Sequence, residues 1–127
     1  SLKLYQNLVE NMVVTPSFDA IYEKNLELFG EKITHKPDKV EAGSSDVGNV
    51  SQVIPTIQPH ISISDTKIAG HSIEFVQAAA SEKALKSIGL GASVLAFSAL
   101  DLLEDPELLS KIKEDHRWHV EHQKDIV

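Results

Sequence analysis

Thr56-Ile57-Gln58-Pro59-His60-Ile61-Ser62-Ile63-Ser64 is the stretch on which the fold class turns. Ile57, Ile61 and Ile63 are β-branched, and Ile61 to Ser64 alternates apolar with polar, the pattern of a strand with one buried face. Pro55 and Pro59 each lack a backbone donor, which bars the segment from the middle of a fully paired ladder. The spacing predicts a strand over 56–64. With helical patterns on both sides, the expected fold is α/β: a few strands packed with helices, and a helical C-terminal third.

Toward the C-terminus, the turn-rich Asp65 to Gly70 leads to His71 and a short helix over 72–79. Ser81 then caps a long helix. Its Leu85, Ile88, Val94, Leu95, Phe97, Leu100 and Leu103 supply a wide apolar surface. The run from Ile88 to Leu103 reads as a buried helix, with Gly89 and Gly91 allowing close helix packing. Ser93, Ser98 and Asp101 interrupt it, and no apolar run approaches the roughly 20 residues needed to cross a bilayer. Asp105-Pro106-Glu107 opens a last helix with a cap, a first-position proline and an acid at the positive end of the dipole. Leu108, Leu109, Ile112, Trp118 and Val120 form its expected buried side.

Toward the N-terminus, Thr15-Pro16-Ser17 reads as another helix start, with Thr15 as the cap. Phe18, Ile21, Tyr22, Leu26 and Phe29 fall on one face, and Gly30 suits a left-handed terminus. Residues 31–51 read as a loop region with one short helix after Ser44-Ser45-Asp46. Residues 2–9 leave strand and helix both open.

The chain has 127 residues, 42% hydrophobic and 24% charged, enough for one core and too apolar for a disordered segment. The net charge of −7 argues against nucleic acid as a partner, because phosphate binding needs a positive surface. Residues 101–127 hold eight acidic and four basic side chains, which reads as a solvated acidic tail. The absence of cysteine excludes disulfides and thiolate chemistry. No signal peptide pattern is present, so a cytoplasmic location is the expectation. A start at Ser1, without methionine, suggests a piece of a longer protein.

Histidines are the first candidates for chemistry. His116, His119 and His122 are spaced by three and fan over about 120° of a helix. Neighbouring pairs are within reach of one metal ion, but Glu114, Asp115, Arg117 and Glu121 around them indicate a solvated face and adventitious binding. His60 reads as structural and His35 as a surface residue. His71 sits in a glycine-containing turn directly after the expected strand, where α/β proteins gather ligands and catalytic groups. On position alone, a simple turn histidine is the favoured reading. Gly43-Ser44-Ser45-Asp46 is equally double-sided: a capped turn, or amides and hydroxyls facing a ligand carboxylate. No Ser/His/Asp arrangement or phosphate loop is present.

The order Gly43-Ser44-Ser45-Asp46-Val47-Gly48-Asn49-Val50-Ser51, then Val53-Ile54-Pro55, then Gly70-His71-Ser72-Ile73-Glu74-Phe75 resembles the C-terminal part of the aminoacylase and carboxypeptidase-like amidohydrolases, the metallopeptidases of family M-twenty. The branch it is most similar to holds the aminobenzoyl-glutamate and β-alanyl-dipeptide hydrolases. Ala78 to Glu82, Ala99 to Leu103 and Asp105 to Leu109 also resemble that branch, as does Phe18 to Gly30. The resemblance implies residues 1–127 as the C-terminal portion of a split catalytic domain, without its N-terminal half and inserted dimerisation domain. It implies two divalent ions, zinc or manganese, in the intact enzyme, with His71 a metal ligand. It places Gly43, Ser44 and Ser45 at the substrate, and has Asp46 bracing their turn. Gln58 stands where the family pattern has a histidine, which leaves His60 without a role. The family's H-x-D and Glu-Glu pairs do not occur in these residues.

The implied activity is metal-dependent hydrolysis of an amide bond in an N-acyl amino acid, aminobenzoyl-glutamate or dipeptide. The expected partners are that small substrate and the rest of the same catalytic domain in a homodimer, with no membrane contact. The 127-residue chain alone is expected to be inactive. The alternatives are a non-catalytic interaction module and a degenerate family member without a metal site.

Overall fold

The computed structural model describes residues 3, 5, 7–31, 33 and 45–123. Among them are five helices: α1 (Pro16–Leu28), α2 (Val47–Ser51), α3 (Ile73–Ala79), α4 (Glu82–Glu104) and α5 (Pro106–Glu121). The described residues contain no strand, which overturns the α/β expectation. Residues 55–64 have the composition of a strand and form no ladder. A strand exists only where a second extended segment lies along it, and β-branched composition reports fit to such a neighbour rather than a backbone preference. Here the neighbour is a helix. The Ile61 side chain reaches α4 at Gly91, where an added Cβ would lie 3.2 Å from Ile61 Cδ1. Gly91 therefore serves close packing, but against the extended Ile61 segment rather than against another helix, whereas Gly89 faces open space.

The helix termini follow their local signals. Ser72 accepts from the Phe75 amide, Ser81 from Ala84, and Asp105 from both Glu107 and Leu108. Gly30 closes α1 with φ 78°. The α1 start differs. Thr15 is fully buried, yet its hydroxyl makes no hydrogen bond among the described residues. The cap comes from α5 instead. Asp115 Oδ2 accepts the Ser17 amide at 2.9 Å and the Ser17 hydroxyl as well. Thr15→Val is therefore expected to leave the thermal midpoint unchanged or raise it. A capping threonine would cost about 1 kcal/mol on the same replacement, so a drop of that size in a calorimetric scan would count against this geometry.

α1, α4 and α5 pack on one another, and α3 packs on α4. The buried apolar residues are Val13, Ile21, Tyr22, Ala84, Val94 and Ile112. Among them runs a polar seam between α1 and α4. Asn25 Nδ2 donates to Ser98 Oγ at 3.2 Å and to Asp101 Oδ2 at 2.9 Å, and Ser98 donates to the Val94 carbonyl.

The expectation that α4 is a buried helix is also corrected. Its packed face is Ala84, Ser87, Gly91, Val94, Ser98 and Asp101, mostly small or polar. Leu85, Ile88, Leu95 and Leu103 on the opposite face are 64%, 68%, 52% and 79% exposed. Trp118 of α5, expected inside, is also exposed.

Candidate functional site

The His71-Ser72-Ile73-Glu74-Phe75 run forms the head of α3. The Ser72 hydroxyl donates to the Ala69 carbonyl at 2.8 Å and accepts the Phe75 amide at 3.1 Å, tying the turn to the first helical turn. A hydrogen bond from its own backbone amide, and then one from Ser72, hold the Glu74 carboxyl below the usual carboxylate range. An acid there also complements the positive end of the helix dipole.

His71 precedes this cap with φ 58° and is the one non-glycine residue at positive φ among those described. A left-handed backbone is uncommon for any residue with a Cβ, although histidine tolerates it better than most. Its side chain is exposed and lines an open groove of about 620 Å³ with Gly70, Ser72, Ile73, Phe75 and Val76. The walls are thus mainly apolar, with one imidazole and one hydroxyl to orient a ligand.

The second predicted element is described only in part, since Gly43 and Ser44 lie outside the described residues. Ser45 Oγ accepts the Val47 amide at 3.2 Å and a 3.5 Å hydrogen bond from Gln58 Nε2. Asp46 is exposed at the N-cap of α2, and its side chain makes no capping hydrogen bond. Ser45 therefore holds this turn. Among the described residues, no hydrogen bond or ion pair joins the 45–46 turn to His71.

Residues 48–51 of the same motif, with Gln52 directly after them, make a clamp. Asn49 Nδ2 donates to the Leu8 carbonyl at 3.0 Å, and the Glu10 amide donates to Asn49 Oδ1 at 3.2 Å. The Ser51 hydroxyl accepts the Val13 amide at 2.9 Å and donates to the Gly48 carbonyl. Gln52 Nε2 donates to the Asn11 carbonyl at 2.9 Å. The motif thus binds residues 8–13 along α2 and satisfies backbone groups that no regular element pairs.

The histidines of α5 are engaged with protein. His116 is buried, and its Nε2–H donates to the Ser51 carbonyl at 2.6 Å, joining α5 to α2. His119 Nδ1 lies 2.9 Å from the Asp115 carbonyl and 3.1 Å from the Asp115 carboxylate. His122 Nδ1 donates to the Trp118 carbonyl at 2.7 Å, and its ring stacks on the indole at 4.5 Å. Among the described residues, no group of three or more histidine, aspartate or glutamate side chains comes together to hold a metal ion.

His60 lies on a second groove of about 760 Å³, which Asp19, Tyr22, Glu23, Leu26 and Glu31 also line. Burial, and then the neighbouring Glu23 charge, raise the Asp19 carboxyl above its ordinary value. Burial raises the Tyr22 phenol in the same way. Asp19 therefore keeps its proton to higher pH than a solvated carboxylate does. Asp19 is the fourth residue of α1, a place that gave no sequence signal for this.

No family model matches the chain. Over 83 residues it is 36% identical to the human (Homo sapiens) Xaa-Arg dipeptidase, an alignment covering 65% of this chain and 19% of that protein. Over 122 residues it is 28% identical to the mouse (Mus musculus) Xaa-Arg dipeptidase, covering 94% of this chain and 27% of that protein. The chain thus spans about a fifth to a quarter of the length of these relatives. The similarity is to dipeptidases, which are hydrolases.

Proposed function

We propose that this chain is part of a dipeptidase-type amidohydrolase, to which it contributes the His71 groove. The similarity to two Xaa-Arg dipeptidases carries the reading. The exposed, left-handed His71 at the head of α3 supports it, because a strained backbone that presents a ligand-type side chain to solvent is a common feature of functional sites. The substrate class is a dipeptide, with those of Xaa-Arg type tested first because the relatives' names give it.

The described residues do not by themselves fit a metal ion. His71 offers one imidazole nitrogen, and a hydrolytic metal needs about three protein ligands. His71 fits as one donor of a set completed by residues outside this chain, for zinc or manganese alike. What this chain does locally is hold that imidazole. The Ser72 hydrogen bonds and the Glu74 charge fix the turn from which it projects, and Ile73, Phe75 and Val76 give the groove an apolar wall against which a substrate side chain can lie.

The test is the protein that carries this chain in full, assayed on Xaa-Arg dipeptides and analysed for bound metal by mass spectrometry. Hydrolysis is expected, and His71→Ala is expected to lower it more than about 100-fold together with the metal content. Unchanged metal content and rate in His71→Ala would remove His71 from the site. The 127-residue chain alone is expected to hydrolyse no dipeptide, and a metal-dependent rate from it would contradict the incomplete donor set.

A further inference from the structure

The groove beside His60 shares no lining residue with the groove at His71. Its walls come from α1, residues 58–62 and α4, and its volume of about 760 Å³ is that of a small-molecule site. Tyr22 is the side chain that lacks a partner there. The residue is 6% exposed, yet its phenol makes no hydrogen bond among the described residues, and burial is what raises its pKa. A buried hydroxyl without a partner is a cost to the fold unless something else supplies the bond. Among the described residues, the Thr15 hydroxyl is the one side-chain group both sealed from solvent and unbonded. The Tyr22 hydroxyl is therefore open, and it opens on the groove that Tyr22 lines.

Charge selects the kind of ligand. The Asp19 and Glu31 carboxylates line the same groove, and neither makes a hydrogen bond or ion pair among the described residues. Glu23 stands close enough for its charge to act on Asp19. Among the described residues, no lysine or arginine lines the groove, so a cation between these acids relieves their repulsion. A metal ion does not suit them. Among the described residues, no three histidine, aspartate or glutamate side chains converge to hold one, so the cation has to be wide enough to reach separated acids. A guanidinium is: a planar fork of five N–H donors that pairs with carboxylates and lies against aromatic rings. Leu26, Ile33, Ile61 and Leu90 give the groove an apolar wall for a hydrocarbon stem behind the charged head.

We infer that this groove binds an alkylguanidinium, its head shared between the Asp19 and Glu31 carboxylates, the Tyr22 hydroxyl accepting a further N–H, and its stem lying along Leu26 and Leu90. The site is separate from the His71 groove and stands whether or not the protein is a dipeptidase.

The test is calorimetric titration of n-butylguanidinium into the protein that carries this chain in full. Binding at one site is expected, with a Kd of about 1 mM or tighter, as suits so small a ligand. n-Butylurea has the same shape without the charge and is expected to bind about tenfold more weakly. Asp19→Asn is expected to weaken n-butylguanidinium about tenfold and Tyr22→Phe about fivefold. Tyr22→Phe is also expected to leave the thermal midpoint of the unliganded protein unchanged or raised, because no protein group loses a bond. His71→Ala, and Glu104→Gln at an exposed acid outside the groove, are expected to keep full affinity. Nα-acetylarginine amide binding as tightly would name a peptide's arginine as the source of the cation, and binding tenfold more weakly a free guanidine; either supports the site. No binding, equal binding of n-butylurea, or full affinity in both Asp19→Asn and Tyr22→Phe would overturn the inference. So would a loss in Glu104→Gln, which would mean general attraction to a negatively charged protein, or a loss in His71→Ala, which would move the cation to the other groove. Displacement by an equimolar divalent ion would make the groove a metal site and overturn it as well. A protein that binds n-butylguanidinium in this pattern and cleaves no dipeptide would sink the dipeptidase reading and leave the groove standing.

Discussion

Gly48→Ala is expected to destabilise the protein by about 3 kcal/mol, at the upper end of what overpacking costs. A Cβ built at Gly48 collides with the Glu10 carbonyl oxygen and lies 3.0 Å and 3.3 Å from the carbonyl carbons of Glu10 and Asn11. All three atoms are backbone, so no rotamer change relieves the contact. Residues 8–13 would have to lift off α2, and with them would go the hydrogen bonds of Asn49 to Leu8 and Glu10, Ser51 to Val13 and Gln52 to Asn11. The cause is steric alone, because Gly48 is not among the positive-φ residues. Urea unfolding followed by far-ultraviolet circular dichroism measures the loss. Gly89→Ala is the control. Its Cβ meets nothing within 4 Å, so the substitution is expected to stabilise α4 by about 0.5–1 kcal/mol. Equal midpoints for the two variants would show that Gly48 does not sit under the Glu10 backbone.

Asp115→Ala is expected to cost about 1.5–3 kcal/mol at neutral pH, the range for hydrogen bonds to a charged group. The Asp115 carboxylate closes the N-terminus of α1 through the Ser17 amide and hydroxyl, and it also meets His119. Burial by itself raises its pKa, but the Ser17 hydroxyl and amide, with the His119 interaction, outweigh that and hold it below the ordinary 3.8. The sign follows from linkage. A carboxyl whose pKa is lower in the folded state adds stability that is fully present above its unfolded value, and that stability is lost as pH falls through the folded value. The gap between wild type and Asp115→Ala is therefore expected to be constant from neutral pH to about 5 and to shrink below about 4. Chemical denaturation across that range checks it. A gap that widens in acid would mean that the carboxylate is not what stabilises α1.

The same two sites show how far the sequence was readable. The starts of α4 and α5 carried their own signals, because capping is chemistry between neighbours in the chain. Ser81 and Asp105 cap where their positions predict, and Gly30 ends α1 in the expected left-handed conformation. Thr15 had the same local pattern and does not cap; the Asp115 carboxylate, 98 residues from Ser17 in sequence, accepts the Ser17 amide instead. The Gly43 to Ser51 motif was legible as a unit, but not its clamp on residues 8–13, since the partners there are backbone atoms with no side-chain signature. His71 stood out as a histidine in a glycine-containing turn, and the left-handed backbone that presents it became visible only in the structure.

Sequence alone therefore determined where α1, α4 and α5 begin, the exclusion of thiolate chemistry, and His71 as the side chain to test. Each of these depends on residue type or on contacts within a few positions. The tertiary structure alone decided that residues 55–64 lie against α4 rather than in a ladder, that Asp115 caps α1, and that the apolar side of α4 faces outward. Hydrophobic periodicity marks which face of a helix seeks cover. Only the arrangement of the other helices shows whether this chain provides it, and for α4 the described helices cover the opposite face.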